Sequence, residues 1–138
     1  MTDIKNPRPV GAITSFHAHV YYDPATTRRA AELLRERVAE RFLVRNGNWH
    51  DVPVGPHPSA MFQISFAKEL FATIVPWLML NRQGLTILVH PNTDRPRDDH
   101  LNHALWMGEV LPLDPSRLPE TEAPEPPLEP NTKPAIAP

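Results

Sequence analysis

The sequence has 138 residues and a formal net charge of −2, with basic and acidic residues intermixed rather than segregated into blocks. This length suits a single domain, and the charge gives no indication of a nucleic-acid or membrane partner. The absence of cysteine excludes disulfides, thiolate metal sites and a cysteine nucleophile. No signal-peptide pattern and no apolar run of roughly 20 residues is visible, so we expect a cytoplasmic protein.

Proline divides the chain into a domain and a tail. Nine of the 18 prolines lie between Pro112 and Pro138, where glutamates are frequent and apolar residues are few. Such a segment gains too little from burial to offset the entropy of ordering it. We therefore predict a folded domain in residues 1–114 and an extended or disordered tail in residues 115–138.

The first elements are a strand and an amphipathic helix. Residues 12–22 are rich in β-branched and aromatic side chains and contain neither glycine nor proline, which predicts a strand. Because strand side chains alternate, His17, His19 and Tyr21 should share one face. An Asp-Pro start and apolar residues at helical spacing predict a helix over residues 25–41.

The second part of the chain repeats this pattern. Apolar runs and turn residues predict a strand near residues 43–44 or 49–52, strands at 60–66 and 86–90, a helix at 68–81 and a last strand at 103–108. Pro76 should kink or break the second helix, and Pro91 should stop the strand before it. Residues 95–99 should form a charged loop.

The order of these elements predicts a fold class. A β-α-β-β-α-β order with an extra C-terminal strand is typical of an α+β, ferredoxin-like domain, in which two helices pack on one face of an antiparallel sheet. The other face must be covered, because a broad apolar surface promotes association. We expect a homodimer or a functional site on that face.

Histidine is the residue type that indicates chemistry. His17 and His19 should project from the same side of a strand, about 7 Å apart along its axis. His90 ends the strand that neighbours the first one in a ferredoxin-like sheet, and His57 lies in a proline-stiffened loop. Such a set suits a non-haem Fe(II) site or a catalytic zinc site with open positions. An ordinary hydrogen-bonded histidine is the alternative, which we favour for His50.

Further polar residues have open interpretations. His100 and His103 are metal ligands, a proton-transfer pair or part of a polar loop. Arg82 has the planar fork that pairs with a substrate carboxylate, although an arginine after a helix commonly stabilises the helix dipole. Tyr21 shares the predicted histidine face and is a second candidate for substrate binding.

Five blocks of sequence resemble, in order, the DOPA 4,5-dioxygenase family. They are residues 16–23 (FHAHVYYD), 55–58 (GPHP) followed by 61–63 (MFQ), 76–77 (PW) with 81–82 (NR), 88–91 (LVHP) and 103–109 (HALWMGE). The similarity covers about residues 12–114. It implies a ferredoxin-like fold, commonly dimeric, and extradiol cleavage of a catechol such as L-DOPA with Fe(II) and O2.

The resemblance also assigns roles to the histidines. His17, His19, His57, His90, His100 and His103 stand at the family's histidine positions. We expect His17, His19 and His90 to bind the metal, with His57 as a ligand or an outer partner. Catechol deprotonation needs a group that titrates near neutral pH, which His100 or His103 would supply.

Two other classes of function remain open. One is a different metalloenzyme on the same scaffold, such as a zinc hydrolase, since zinc also accepts imidazole ligands. The other is a non-catalytic dimeric protein that binds a metal or a small aromatic molecule.

Overall fold

A single antiparallel sheet forms the centre of the molecule. The computed structural model describes residues 4–138. Its strands are β1 (Ser15–Tyr21), β2 (Arg45–Asn46), β3 (Met61–Phe66), β4 (Ile87–Asn92) and β5 (Leu105–Met107). They lie in the order β2-β3-β1-β4-β5, and every neighbouring pair is antiparallel.

Two long helices cover one face of this sheet. The helices are α1 (Arg28–Arg41), α2 (Phe71–Asn81) and the short α3 (Pro96–Leu101). Leu34 of α1 and Leu78 of α2 are buried in one core with Val20 of β1 and Ile64 of β3. The predicted α+β, ferredoxin-like arrangement is confirmed, including the additional strand at its C-terminal end.

Alternation along β1 separates the core from the site. Ala18 and Val20 point into the core beneath the helices and are fully buried. His17, His19 and Tyr21 therefore project from the opposite face, as the period of two predicts. The side of the sheet opposite α1 and α2 is called the open face.

Strand register brings distant histidines together on the open face. β1 is the central strand, and it pairs with β3 on one side and β4 on the other. His17 lies directly opposite His90 of β4 and opposite Ser65 of β3. Side chains directly opposite each other in an antiparallel pair are close neighbours. The imidazoles of His17 and His90 consequently lie side by side.

Two strand predictions are wrong in detail. The second strand lies at Arg45–Asn46, outside both predicted ranges, and His50 adds only an isolated bridge to Met61. β4 continues through Pro91 to Asn92. β5 pairs with β4 only over residues 87–89, so at Pro91 the strand β4 has β1 as its neighbour on one side and no strand on the other. The missing N–H of Pro91 is tolerated at such an edge position.

Two helix predictions can be compared with the structure. α2 continues through Pro76, so of the predicted kink or break the break does not occur. The carbonyl that loses its partner there belongs to the exposed Ala72, so water can replace the missing donor. Residues 96–101 form α3 instead of a loop, with proline at its start and Asp98 and Asp99 in its first turn. These are favourable positions for both residue types.

The open face is covered by a loop and by the C-terminal part of the chain. Leu113 packs with Tyr21, Met61 and Leu88 in a small second core. The N–H of Asp114 donates to the carbonyl of Pro56, which joins the two covering segments. Residues 118–138 form no helix or strand, yet several of them are hydrogen-bonded to the domain. Within the described residues no helix has the length and apolarity needed to cross a membrane.

Candidate metal centre

Five imidazoles converge on the open face. They belong to His17 and His19 of β1, His57 of the covering loop, His90 of β4 and His100 of α3. The Nε2 atoms of His19 and His90 are 3.0 Å apart. Ring centroids are 4.2 Å apart for His19 and His57, and 3.9 Å apart for His90 and His100.

The five rings form two overlapping groups with the spacing of metal ligands. Nitrogen atoms of His17, His19 and His90 all lie within 4.8 Å of one another. The same holds for His19, His57 and His100. His19 belongs to both groups, which makes it the central residue of the cluster.

Backbone carbonyls fix the tautomers of two of these rings. The Nδ1 of His90 lies 2.8 Å from the carbonyl oxygen of Pro91, and that of His100 lies 2.7 Å from the carbonyl oxygen of Pro96. A carbonyl only accepts, so each Nδ1 carries the proton and each Nε2 keeps its lone pair. Ligating histidines are commonly oriented in this way, with the second nitrogen held by an outer partner.

A tyrosine holds the fourth ring in place. The hydroxyl of Tyr21 lies 2.7 Å from Nδ1 of His57. Burial raises the pKa of Tyr21 above its usual range, so the hydroxyl keeps its proton and can donate or accept. The Tyr21 ring is in turn stacked on Trp106, with centroids 5.9 Å apart.

Four of the five imidazoles are neutral near pH 7, those of His19, His57, His90 and His100. Burial, followed by the neighbouring imidazoles, lowers the pKa of His19 and of His90 well below the usual value. Burial lowers the pKa of His57 to about 4 and also lowers that of His100. Neutral imidazole is the form that binds metal ions.

One buried atom shows that this donor set fits a metal ion. Among the described residues, Nδ1 of His19 has no hydrogen-bond partner although it is buried. Leaving a buried polar atom unpaired costs about 1–3 kcal/mol. Several neutral imidazoles in one place, one with an unsatisfied nitrogen, are the donors preferred by zinc and by non-haem iron.

A cleft of about 290 Å³ is lined by four of the five imidazoles, those of His17, His19, His57 and His100. Its wall includes Gln63, whose Nε2 lies 3.3 Å from Nε2 of His17. The C-terminal part of the chain adds to this wall the side chains of Arg117, Glu122 and Glu125. A carboxylate oxygen of Glu125 lies 3.2 Å from Nε2 of His17, and this hydrogen bond lowers the pKa of Glu125 against the opposing effect of burial.

Two of the predicted site residues lie away from the cluster. Nδ1 of His103 is 2.9 Å from the buried carboxylate of Asp99. His103 lines a separate, mainly apolar cavity of about 440 Å³ that also contains Phe16 from the helix-covered face. Arg82 donates to the carbonyl of Leu85 at 2.8 Å and does not line the cleft.

Some residues of the cleft had no role in the sequence analysis. Alternation along β3 places Gln63 and Ser65 on the open face beside His17, which the sequence pattern alone could have revealed. Glu125 is different, because nothing in the proline-rich segment around it indicates a contact with β1.

Comparison with known proteins identifies the family. Residues 16–117 match the sequence model of the Dopa 4,5-dioxygenase family. The chain belongs to this family. A crystal structure from Nostoc punctiforme, named "putative dioxygenase", superposes with a TM-score of 0.78 at 46% identity, covering 80% of this chain and 95% of the other.

Two curated relatives are longer proteins. An "Uncharacterized 21.2 kDa protein" of Botryotinia fuckeliana is 40% identical over 120 residues, or 78% of this chain and 65% of the relative. A "DOPA 4,5-dioxygenase" of Amanita muscaria is 34% identical over 117 residues, or 78% of this chain and 50% of the relative. The chain thus spans between half and two thirds of their lengths. The family and the Amanita relative carry the name of a dioxygenase, whereas the name of the Botryotinia relative gives no function.

Proposed function

We propose that this protein is an extradiol dioxygenase that opens the ring of a catechol such as L-DOPA, using Fe(II) and O2. The observation that carries the proposal is the convergence of five imidazoles in two groups that share His19, with four of the five rings lining one cleft. Membership of the Dopa 4,5-dioxygenase family supports the reaction class. In this reaction both atoms of O2 enter the product, one ring carbon–carbon bond beside a hydroxyl-bearing carbon breaks, and no further reductant is needed.

The imidazoles divide into a group that holds the metal and a group at its edge. We assign His17, His19 and His90 as the residues that hold the ion, with His57 as a ligand or an outer partner. Ferrous iron, when bound, would supply the redox chemistry that makes dioxygen reactive toward the ring, with the electrons coming from the catechol itself. Neutral nitrogen ligands suit this ion because they do not cancel its positive charge, which attracts the catechol oxygens. A small number of such ligands also leaves coordination positions open for substrate.

His100 is the better placed of the two predicted acid–base residues. Its ring centroid lies 3.9 Å from that of His90, and its Nδ1 proton is held by the Pro96 carbonyl. Its Nε2 lone pair can therefore accept the proton of a catechol hydroxyl. Tyr21 and His57 form a second pair that can hold or return a proton at the cleft. His103 lines another cavity and does not lie beside the imidazole cluster.

The experiment that tests the proposal loads metal-free protein anaerobically with Fe(II) and then adds L-DOPA and air-saturated buffer. We expect the amount of oxygen consumed to equal the amount of ring-opened product. The product is measured by its visible absorbance. The same protein loaded with Zn(II), and the His19→Ala variant with Fe(II), should show neither. Absence of catechol-dependent uptake by protein with a full complement of iron would contradict the proposal.

The zinc hydrolase alternative has one observation in its favour. The imidazole set contains only nitrogen donors and would suit zinc as well as ferrous iron. Hydrolysis of a model ester by the zinc-loaded protein, together with inactivity of the iron-loaded protein toward catechols, would favour it. A homodimer remains a prediction, which light scattering of the purified protein would test.

A further inference from the structure

The segment that follows the family-like part of the chain crosses the mouth of the cleft. Leu118 is buried, and its carbonyl accepts two hydrogen bonds from the guanidinium of Arg97 on α3, at 3.1 and 2.9 Å. Four residues later, the N–H of Glu122 donates to the carbonyl of Asp94 at 2.9 Å. The segment is therefore attached to the domain before it reaches the imidazoles.

The same segment is attached again on the far side. The N–H of Asn131 donates to the carbonyl of Val44 at 2.9 Å, and its side-chain oxygen accepts from the N–H of Asn46 at 2.8 Å. Between the two attachments lie Pro124, Pro126 and Pro127, each of which fixes its own φ angle. A short, stiff connection with both ends held restricts the positions that Glu125 can reach.

Glu125 provides the carboxylate that contacts His17, whose Nε2 also lies 3.3 Å from the side-chain amide nitrogen of Gln63. The Glu125 carboxylate lies 3.2 Å from Nε2 of His17, whose side chain is only 10% exposed. His90 and His100 have backbone carbonyls on Nδ1, and His57 has the Tyr21 hydroxyl. A carboxylate on the ring of a ligating histidine fixes the orientation of that ring.

We propose that Glu125 is the positioning residue of His17, a carboxylate that the C-terminal segment adds to the metal centre from outside the family-matching residues 16–117. Glu125 belongs to neither group of mutually close nitrogen atoms, so it acts through His17 rather than as a ligand. This inference rests on the proposed metal centre. It makes the proline-rich segment part of the site.

The test compares two glutamates of the same cleft in the full chain. Glu125→Gln removes the charge beside His17, whereas Glu122→Gln changes a side chain that lines the cleft and keeps the backbone attachment to Asp94. Calorimetric titration with Zn(II) measures affinity, and the visible absorption of bound Co(II) reports the ligand geometry. The melting temperatures of the metal-free variants check that both fold as the wild type does.

Loss of an outer partner of a ligating histidine typically weakens metal binding roughly 10- to 100-fold. We expect that loss for Glu125→Gln, with an altered Co(II) spectrum, and partial recovery in Glu125→Asp. We expect Glu122→Gln to bind as the wild type does. Wild-type affinity and an unchanged spectrum for Glu125→Gln would overturn the inference.

The outcomes also separate this inference from the proposed function. A wild-type protein that binds neither Zn(II) nor Co(II) would overturn the metal centre and Glu125 with it. If Glu125→Gln loses affinity while the iron-loaded wild type leaves catechols intact, the positioning role stands and only the dioxygenase reaction fails.

Discussion

His19 and His90 project from neighbouring strands with their Nε2 atoms 3.0 Å apart. The carbonyl of Pro91 keeps the proton of His90 on Nδ1, so the short contact requires His19 to carry its own proton on Nε2. That arrangement leaves the buried Nδ1 of His19 with a lone pair and no partner. If a metal ion were bound, His19 and His90 would be among the residues that hold it, through nitrogen lone pairs of neutral imidazoles.

Removal of His19 should abolish stoichiometric metal binding. His19 contributes to both imidazole groups, so His19→Ala breaks both at once. We expect a loss of Zn(II) affinity larger than the roughly 10- to 100-fold that follows loss of an outer partner. Calorimetric titration measures it, with His50→Ala as the matched control because that imidazole belongs to neither group. Equal losses in the two variants would refute the assignment.

The two histidines of residues 100–103 should behave differently. His100 lies among the cluster imidazoles, whereas His103 pairs with Asp99 and lines the other cavity. In iron-loaded protein, His100→Gln should lower kcat/KM for L-DOPA roughly 100-fold or more, the range typical of acid–base residues. His103→Gln should retain metal content and most of the activity. The reverse order of effects would show that the acid–base role belongs to His103.

Metal-free protein should become less stable as the pH falls. Burial lowers the pKa of His57 from 6.5 to about 4, so below pH 6.5 the unfolded chain binds more protons than the folded one. This histidine's contribution to stability is complete above pH 6.5 and is lost progressively toward pH 4. The slope amounts to at most about 1.4 kcal/mol per pH unit for one such histidine.

Urea unfolding at pH 7.5, 6.0 and 5.0 in the presence of a chelator measures this dependence. The His57→Gln variant should show a shallower loss of unfolding free energy on acidification than the wild type. Parallel curves for wild type and His57→Gln would mean that His57 is not held in its neutral form by the fold.

Loss of the Tyr21 hydroxyl should cost more than loss of the Tyr22 hydroxyl. Tyr21→Phe keeps the ring but leaves Nδ1 of the buried His57 without its partner, a cost of about 1–3 kcal/mol. Tyr22→Phe removes a bond to Asp51, which is exposed and can turn to water instead. Equilibrium unfolding in urea gives both values. Similar losses for the two variants would argue against a structural link between Tyr21 and the imidazole cluster.

The part of the site that lies within the sheet could be predicted from the sequence. A period of two along β1 gives the shared face of His17 and His19, and the order of elements gives the neighbourhood of β1 and β4. Both signals depend on backbone geometry, which varies little between proteins. They predict that His17 and His90 lie on neighbouring strands, whereas the register that sets the two residues directly opposite each other comes from the structure.

The part contributed by loops could not be predicted in the same way. His100 and His103 are three residues apart, and only the end of α3 decides that one ring reaches the cluster and the other turns to Asp99. His57 depends on how the covering loop packs on Tyr21. Glu125 meets His17 across more than a hundred residues of chain, and no local periodicity encodes such a contact.

The position of a bound ion tests the central assignment most directly. Crystals of the protein soaked in Zn(II) should show one strong anomalous peak on the open face, about 2.0–2.1 Å from a nitrogen of His19 and from nitrogens of at least two neighbouring imidazoles. A peak bound by other residues, or no peak between β1 and β4 at saturating zinc, would contradict the assignment.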